Sequence, residues 1–158
     1  DQGYALEVVR AAFGRVLHGF NPLDLRSSVV ALDEFLTTDD GANLLAGYKR
    51  AVNILRAEAK KGELPSGAVD LSSLTLPAET ELAVAVQAAR GAVDQALETE
   101  DFAAAMRALS GLRAPVDAFF EGVMVNSDVA SERENRLKLL GQVRDVMGRV
   151  ADFGQIGG

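Results

Sequence analysis

The chain has 158 residues, of which 48% are hydrophobic, enough apolar material for one well-packed domain. It contains no Cys and one His, so its sequence provides neither a disulfide framework nor a Cys/His zinc site. Its apolar runs are far shorter than the roughly 20 residues that cross a bilayer, and no signal-peptide pattern opens the chain. We therefore expect a single cytoplasmic domain over residues 1–158 with no membrane contact, and, because position 1 is not Met, a domain that is part of a larger protein.

The formal net charge of −7 comes from one stretch of the sequence. Residues 62–101 hold eight acidic residues against Arg90 alone, so the rest of the chain sums to zero. Residues 39–61 carry five basic and three acidic residues, and residues 131–150 carry the same numbers. Affinity for phosphates comes largely from Lys and Arg, so the net charge of −7 is a difficulty for nucleic-acid binding, and any such contact would lie at these two basic segments.

Helical spacing of apolar residues dominates the sequence, and strand-like alternation is limited to residues 70–76. A first helix is predicted over residues 4–17, where His18 near the helix end favours interaction with the helix dipole over catalysis. A second helix begins at Asn21-Pro22, a capping residue followed by proline at the first helical position. Its predicted core-facing stripe consists of Leu25, Val29, Leu32 and Leu36.

A third helix is predicted from the polar run at residues 37–40 to about Lys61. Hydroxyl and carboxylate oxygens in this run can accept hydrogen bonds from the N–H groups left unpaired at a helix start. The core-facing positions at helical spacing are Leu44, Tyr48, Val52 and Leu55. A neighbouring polar stripe, better placed for ligand contact, consists of Lys49, Asn53, Arg56 and Lys60.

The central part of the sequence predicts a long connection and a fourth helix. Residues 62–77 contain two Gly and two Pro with little amphipathic order, which is typical of a connection. A helix follows over residues 78–97, and residues 98–101 form a turn. The predicted buried stripe of this helix consists of Leu82, Val86, Ala89, Val93 and Leu97.

The last part of the sequence predicts three more helical segments. A fifth helix over residues 102–112 leads to Pro115, where the missing N–H and the fixed φ are expected to break or kink it. A short helix over residues 116–123 starts there, and the last helix is predicted over residues 132–152. The expected fold class is therefore all-α, a helical bundle of about six helices.

The first candidate site lies on the third predicted helix. It consists of Lys49, Arg50, Asn53 and Arg56. Three cations and an amide within about two helical turns suit contacts to phosphates and hydrogen bonds to base edges of single-stranded RNA. The alternative is an ordinary solvated helix face, with Asn53 bonded inside the bundle. Tyr48 is the aromatic residue adjacent to this stripe, and its helical phase favours burial over stacking on a base.

The second candidate site lies on the last predicted helix and consists of Asn135, Arg136 and Lys138. These side chains could grip an RNA backbone. The alternative is that Arg136 pairs internally with Asp117, because charges near a helix start often serve local pairing. Exposure separates the two alternatives, since a paired residue is less exposed than a phosphate-binding one.

No motif of an enzyme active site is present in the sequence. It has no GxxxxGK phosphate loop, no GxSxG nucleophile elbow and no HExxH metal pair. The acidic cluster of Glu98, Glu100 and Asp101 has no basic or metal-binding partner, so we expect a solvated turn. The sequence therefore predicts a binding domain with no catalytic residue, no metal site and no cofactor of its own.

Two separated blocks of sequence carry a resemblance to a known family. Residues 112–153 read LRAPVDAFFEGVMVNSDVASERENRLKLLGQVRDVMGRVADF, and residues 36–55 read LTTDDGANLLAGYKRAVNIL. Both blocks resemble the C-terminal part of the β subunits of two-subunit bacterial glycyl-tRNA synthetases. The resemblance covers nearly the whole chain and implies an all-helical anticodon-binding domain of the DALR type, the C-terminal fragment of a larger subunit.

The resemblance also implies a function. It implies recognition of the anticodon arm of tRNA(Gly), with both candidate sites as tRNA-binding residues and no catalytic site in this domain. Aminoacylation, which uses ATP, is implied to occur elsewhere in the enzyme, with the α subunit as the partner in a heterotetramer. The alternative is a structural helical module that packs on other synthetase domains, which the net charge favours. Surface charge distinguishes the two, because RNA binding requires the two basic segments to converge on one face.

Overall fold

The computed structural model describes residues 22–65, 67–125, 127–150 and 153, with the backbone alone for residues 22–29. Within these ranges it contains six α-helices and no strand. They are α1 (Pro22–Thr37), α2 (Asp39–Ala59), α3 (Pro77–Glu98), α4 (Phe102–Ser110), α5 (Arg113–Gly122) and α6 (Ala130–Gly148), with a 3-10 turn at Leu71–Ser73. The all-α prediction is confirmed. The helix predicted over residues 4–17, and His18, lie outside the described residues.

The start of α2 follows from its sequence. The Thr38 side chain accepts a hydrogen bond from the backbone N–H of Gly41 at 3.0 Å, and Asp39 and Asp40 occupy the first turn. Both features stabilise the positive end of the helix dipole. A Cβ atom at Gly41 would lie 1.9 Å from the carbonyl oxygen of Phe35. The tight turn between α1 and α2 therefore requires glycine at this position.

Helices α2 and α3 share two packing partners in the bundle. Helices α5 and α6 each pack against both α2 and α3, while α4 joins α1 to α3. The core between them contains large side chains that are fully buried, including Leu44, Leu82, Leu109, Phe119 and Met147. The helices that carry the two basic segments, α2 and α6, thus pack directly against each other, whereas the acidic helix α3 packs on α4, α5 and α6 and not substantially on α2.

The break between α4 and α5 differs from its predicted position. Helix α5 begins at Arg113, so Pro115 lies inside its first turn and the chain breaks earlier, at Gly111-Leu112. The first N–H groups of a helix have no intrahelical partner, so proline costs no hydrogen bond there. Residues 70–76, which belong to the predicted connection, contain the 3-10 turn at Leu71–Ser73, where Asp70 accepts a hydrogen bond from the backbone N–H of Ser72 at 3.1 Å.

A buried ion pair joins the start of α3 to the start of α6. Glu79 and Arg136 are 0% and 4% exposed, and Arg136 Nε donates to Glu79 Oε2 at 2.9 Å. The other carboxylate oxygen of Glu79 accepts from the backbone N–H groups of Thr75 and Leu76 at 3.0 and 2.8 Å. Arg136 also donates to the carbonyl oxygen of Met124 at 2.7 Å. This network, the Glu79–Arg136 pair with its backbone partners, ties two connections to two helices.

The adjacent Asn135 fixes the long connection from another point. Its side-chain oxygen accepts from the backbone N–H of Asp70 at 2.9 Å, and its amide donates to the Asp70 carbonyl oxygen at 3.0 Å. Asn135 is 2% exposed, so both bonds are shielded from water. The connection between α2 and α3 is therefore held at Asp70 as well as at Thr75 and Leu76.

Two opposing effects act on the pKa of the Glu79 carboxyl group. Burial acts to raise its pKa, but hydrogen bonds from Arg136 and from the Leu76 and Thr75 backbone outweigh burial and hold the pKa below the ordinary value of 4.5. A carboxylate with a lowered folded-state pKa stabilises the fold above its ordinary pKa. This contribution is lost as the pH falls through the folded-state pKa.

Replacing Glu79 by Gln should therefore destabilise the fold at neutral pH. The change removes the buried carboxylate partner of Arg136 and leaves Glu132, at 3.6 Å, as its remaining acidic partner. Breaking a buried pair in this way costs up to about 3–5 kcal/mol. Urea unfolding at pH 7 measures this cost, and the difference from the unmodified chain should shrink as the pH falls below 4.5. Glu81→Gln is the control, since Glu81 is exposed on the same helix and should change stability by about 0.5 kcal/mol or less. Equal effects of the two variants would contradict this role for Glu79.

Substituting alanine for glycine should have opposite effects at two helical positions. Gly41→Ala should destabilise by about 1–3 kcal/mol, because its Cβ overlaps the Phe35 carbonyl. Gly91→Ala, exposed within α3 with no atom within 4 Å of the added Cβ, should stabilise by about 0.5–1 kcal/mol. Thermal unfolding of both variants tests the pair, and a stable Gly41→Ala variant would show that the turn can relax.

Candidate nucleic-acid interface

Three of the predicted binding residues form a polar stripe on the outer side of α2. Lys49, Asn53 and Arg56 follow one another at spacings of four and three residues, so they share one flank of the helix. Asn53 and Arg56 are exposed and Lys49 is half-buried. The opposite side of α2 is buried through Leu44, Ala51 and Leu55. We call these three residues, Lys49, Asn53 and Arg56, the α2 stripe.

Two members of the α2 stripe have their donors available. Neither Asn53 nor Arg56 makes a hydrogen bond or an ion pair with any other residue in the part of the chain that the structure describes. Asn53 therefore does not make the internal bond considered as an alternative, at least within the described ranges. A guanidinium and an amide without such partners can bind phosphate and base-edge groups without first breaking a protein contact.

Arg50 lies on a different flank of α2 from the stripe. Consecutive residues of a helix are about 100° apart, and the Arg50 guanidinium lies over the Phe120 ring, 4.4 Å from its centroid. Phe120 is half-buried on α5 and packs edge-on against Phe119. The four residues predicted as one site on α2 are thus divided between the stripe and the groove between α2 and α5. Arg50 remains exposed in that groove.

Two aromatic residues near α2 differ in how well the spacing of residues along the helix predicts their positions. Tyr48 is 7% exposed and its ring packs against Phe153, with centroids 5.8 Å apart. Its predicted burial is confirmed. Phe120, which sequence analysis did not single out, is the aromatic residue that contacts a cation of α2. Only packing of α5 on α2 brings it there, so periodicity within α2 contains no signal for it.

Asn135 and Arg136 lie in the interior of the bundle. Their polar atoms bind Asp70, Glu79 and Met124 at the distances given above. Arg136 is paired inside the domain, as the alternative interpretation of the sequence held, but its partner is Glu79. The predicted partner, Asp117, is wrong. The reason is local, because Asp117 lies four residues after Arg113 on α5 and accepts from its Nε at 2.9 Å.

Arg113 also connects α5 to the start of α2. Its Nη1 donates to Asp40 Oδ1 at 3.1 Å, in addition to the bond with Asp117. The hydrogen bond to Asp117, followed by the one to Asp40, raises the pKa of the Arg113 guanidinium. This pair of carboxylates leaves the Arg113 charge locally compensated, so we do not count it among the residues available for RNA.

The other cations of α6 are dispersed, and most have acidic neighbours. Lys138 is half-buried, and its charge contributes to lowering the pKa of Asp70, after the larger effects of hydrogen bonds from Ser72 and Ser73. Arg149 donates to Asp94 of α3 at 2.5 Å, and Arg144 to Asp145 at 3.2 Å. Contact of Lys138 with RNA stays a prediction. The α2 stripe is therefore the stronger candidate interface.

The described part of the chain contains neither a metal-binding cluster nor a membrane-spanning helix. It holds no group of three or more His, Cys, Asp or Glu side chains arranged to bind a metal ion. None of its helices is long and apolar enough to span a membrane.

Comparison with known proteins connects this surface to a family. The model of the DALR anticodon binding domain matches residues 44–153, which include all of the candidate residues. The glycine–tRNA ligase beta subunit of Phenylobacterium zucineum (strain HLK1) is 53% identical over 158 residues, and that of Ruegeria sp. (strain TM1040) is 47% identical over 160. The alignments cover 100% of this chain and 23% of each relative.

A third relative gives the same result over a shorter range. The glycine–tRNA ligase beta subunit of Cereibacter sphaeroides (strain ATCC 17029 / ATH 2.4.9) is 52% identical over 129 residues, 81% of this chain and 18% of the relative. The chain thus spans about a quarter or less of the length of these curated relatives. Since the family model matches well over half of the chain, and the fold is all-helical with a basic outer stripe on α2, the chain belongs to the DALR anticodon-binding domain family.

Proposed function

We propose that this chain binds the anticodon arm of tRNA(Gly) as the anticodon-binding part of a glycine–tRNA ligase beta subunit. Its family is an anticodon-binding one, and the relatives that match it over its whole length are glycine–tRNA ligase beta subunits. The observation that carries the proposal is the α2 stripe. Within it, the exposed side chains of Asn53 and Arg56 offer donors that are not occupied by other described residues.

The members of the stripe have different tasks in this proposal. Lys49 and Arg56 neutralise backbone phosphates, and this fixes the RNA on the helix without reading its sequence. Asn53 lies between them and offers both a donor and an acceptor, which suits the edge of an unstacked base. Arg50, on the neighbouring flank, adds a further positive charge in the groove with Phe120. Sequence reading is thus assigned to the amide, and most of the affinity to the cations.

Charge separation within the domain supports binding on the α2 side. The acidic helix α3 carries exposed Glu81 and Glu98, and it does not pack substantially against α2. An RNA approaching the domain is repelled from α3 and attracted to α2. The net charge of −7 therefore orients the complex and does not prevent it.

The chemistry of the enzyme is assigned to other parts of the assembly. In this proposal the beta subunit joins an alpha subunit in a heterotetramer, and ATP and glycine react away from this domain. The domain itself contributes no catalytic residue and binds no cofactor. The enzyme works in the cytoplasm, and this chain binds the anticodon arm of its tRNA there.

Removing the two cations of the α2 stripe should weaken tRNA(Gly) binding and its salt dependence. The Lys49→Ala, Arg56→Ala variant of the assembled enzyme should lower the slope of log K against log salt by about 1.5, since each phosphate contact contributes about 0.7–0.9. Binding measured at several salt concentrations gives this slope. Arg107→Ala, which removes an exposed cation from α4, is the control. An unchanged slope in the double variant would place the phosphate contacts elsewhere.

Removing the amide should affect selectivity and not the salt slope. Asn53→Ala should reduce discrimination between tRNA(Gly) and a tRNA with altered anticodon bases by about 1–3 kcal/mol, the range for one good base-edge contact. Competition binding with both tRNAs measures it. Asn43→Ala, an exposed amide elsewhere on α2, is the matched control. Full discrimination in Asn53→Ala, or equal loss in Asn43→Ala, would contradict base reading by Asn53.

A further inference from the structure

An open apolar groove lies on the side of the domain formed by α3 and α6. It has a volume of about 460 Å³ and is bounded by the 3-10 turn, α3 and α6. The side chains that form most of its apolar surface are Val69, Leu71, Leu74, Ala83 and Val84, and Gln142 of α6 closes one side. No residue of the α2 stripe lines it.

Two apolar side chains of this groove are strongly exposed. Leu71 is 69% exposed and Val84 is 65% exposed, and they face the groove from the 3-10 turn and from α3. Single exposed apolar residues are ordinary on protein surfaces, but a concave cluster of them marks an interaction site. Burial of such side chains against a partner stabilises a complex in proportion to the apolar area removed from water.

The wall that carries Leu71 is held rigidly in place. Asn135 binds both backbone groups of Asp70, and Asp70 in turn accepts from the Ser72 and Ser73 hydroxyls at 2.6 and 2.8 Å. Glu79 holds the other end of the same segment at Thr75 and Leu76. A connection fixed at both ends by buried side chains cannot move inward to cover Leu71. The groove is thus preformed, which lowers the entropic cost of docking.

We propose that this groove docks another domain of the longer polypeptide to which the chain belongs, through an apolar side chain with basic neighbours. The chain spans 23% of relatives that match it end to end, so about three-quarters of such a polypeptide lies outside it. Exposed Asp70 and Glu81 each adjoin a lining residue along the chain, Leu71 and Thr80 respectively, and this favours a basic partner surface. The same acids and the apolar lining disfavour RNA.

This inference depends on the longer polypeptide and not on RNA contact by α2. No residue of α2 lines the groove, so a domain docked there does not occupy the α2 stripe. The α2 variants described above test RNA binding alone. Failure of either proposal can therefore be recognised separately.

The test is site-specific photocrosslinking in the full-length polypeptide, assembled with its partner subunit. A benzoylphenylalanine at position 71 should form crosslinks to peptides of the same polypeptide outside these 158 residues, as identified by mass spectrometry. The probe at position 30 is the control, since Val30 is 51% exposed on α1 and lies outside the groove. Mixing isotope-labelled and unlabelled subunits distinguishes crosslinks within one copy from those between two.

A second substitution checks that the crosslink depends on the groove. Val84→Arg should abolish the crosslink from position 71, whereas Val30→Arg should leave it unchanged. Both replace an exposed helical valine, so they should be tolerated by the fold equally well. Crosslinks from position 71 to tRNA, to the partner subunit or to a second copy would overturn the proposal. So would the absence of any crosslink, or a crosslink that survives Val84→Arg.

Discussion

The buried pair of Glu79 and Arg136 is the constraint on which the arrangement of the bundle depends. Two charges withdrawn from water each cost several kcal/mol, and their attraction offsets this only when every remaining polar atom is also bonded. Here the remaining partners are backbone groups of both long connections, through Thr75, Leu76 and Met124. The pair therefore fixes the starts of α3 and α6 and both irregular segments at once. Hydrophobic contacts alone specify position less sharply, because apolar packing is not directional.

This constraint also determines which basic residues can serve a ligand. Arg136 and Arg149 have their charges matched by Glu79 and by Asp94 of α3, so the basic character of α6 is largely used inside the domain. On α2 the corresponding side chains face outward, with Asn53 and Arg56 unoccupied by described residues. The numbers of basic and acidic residues are the same in the α2 and α6 segments. The two helices differ in how exposed their basic side chains are and in how many of them are paired with acids.

The parts that the sequence could predict are those determined by neighbours along the chain. Caps and helical periodicity placed α2 and α3 to within about two residues, and they identified Tyr48 as a core residue. The partner of Arg136 was not predictable in this way, since Glu79 is 57 residues away and an acid in the first turn of a helix ordinarily faces solvent. The contact of Arg50 with Phe120 depends equally on how two helices pack.

The two surfaces of the domain are coupled through the same buried network. Asn135 and Glu79 shape the groove at Leu71, while α6, which carries Asn135, packs directly against α2. A partner domain seated in the groove thereby holds α6, and through it α2, in one orientation. Rigid transmission of this kind needs close packing and satisfied polar groups, both of which the interior provides. Taken together, the two proposals would position an RNA bound on α2 relative to the docked domain without direct contact between that domain and the anticodon arm.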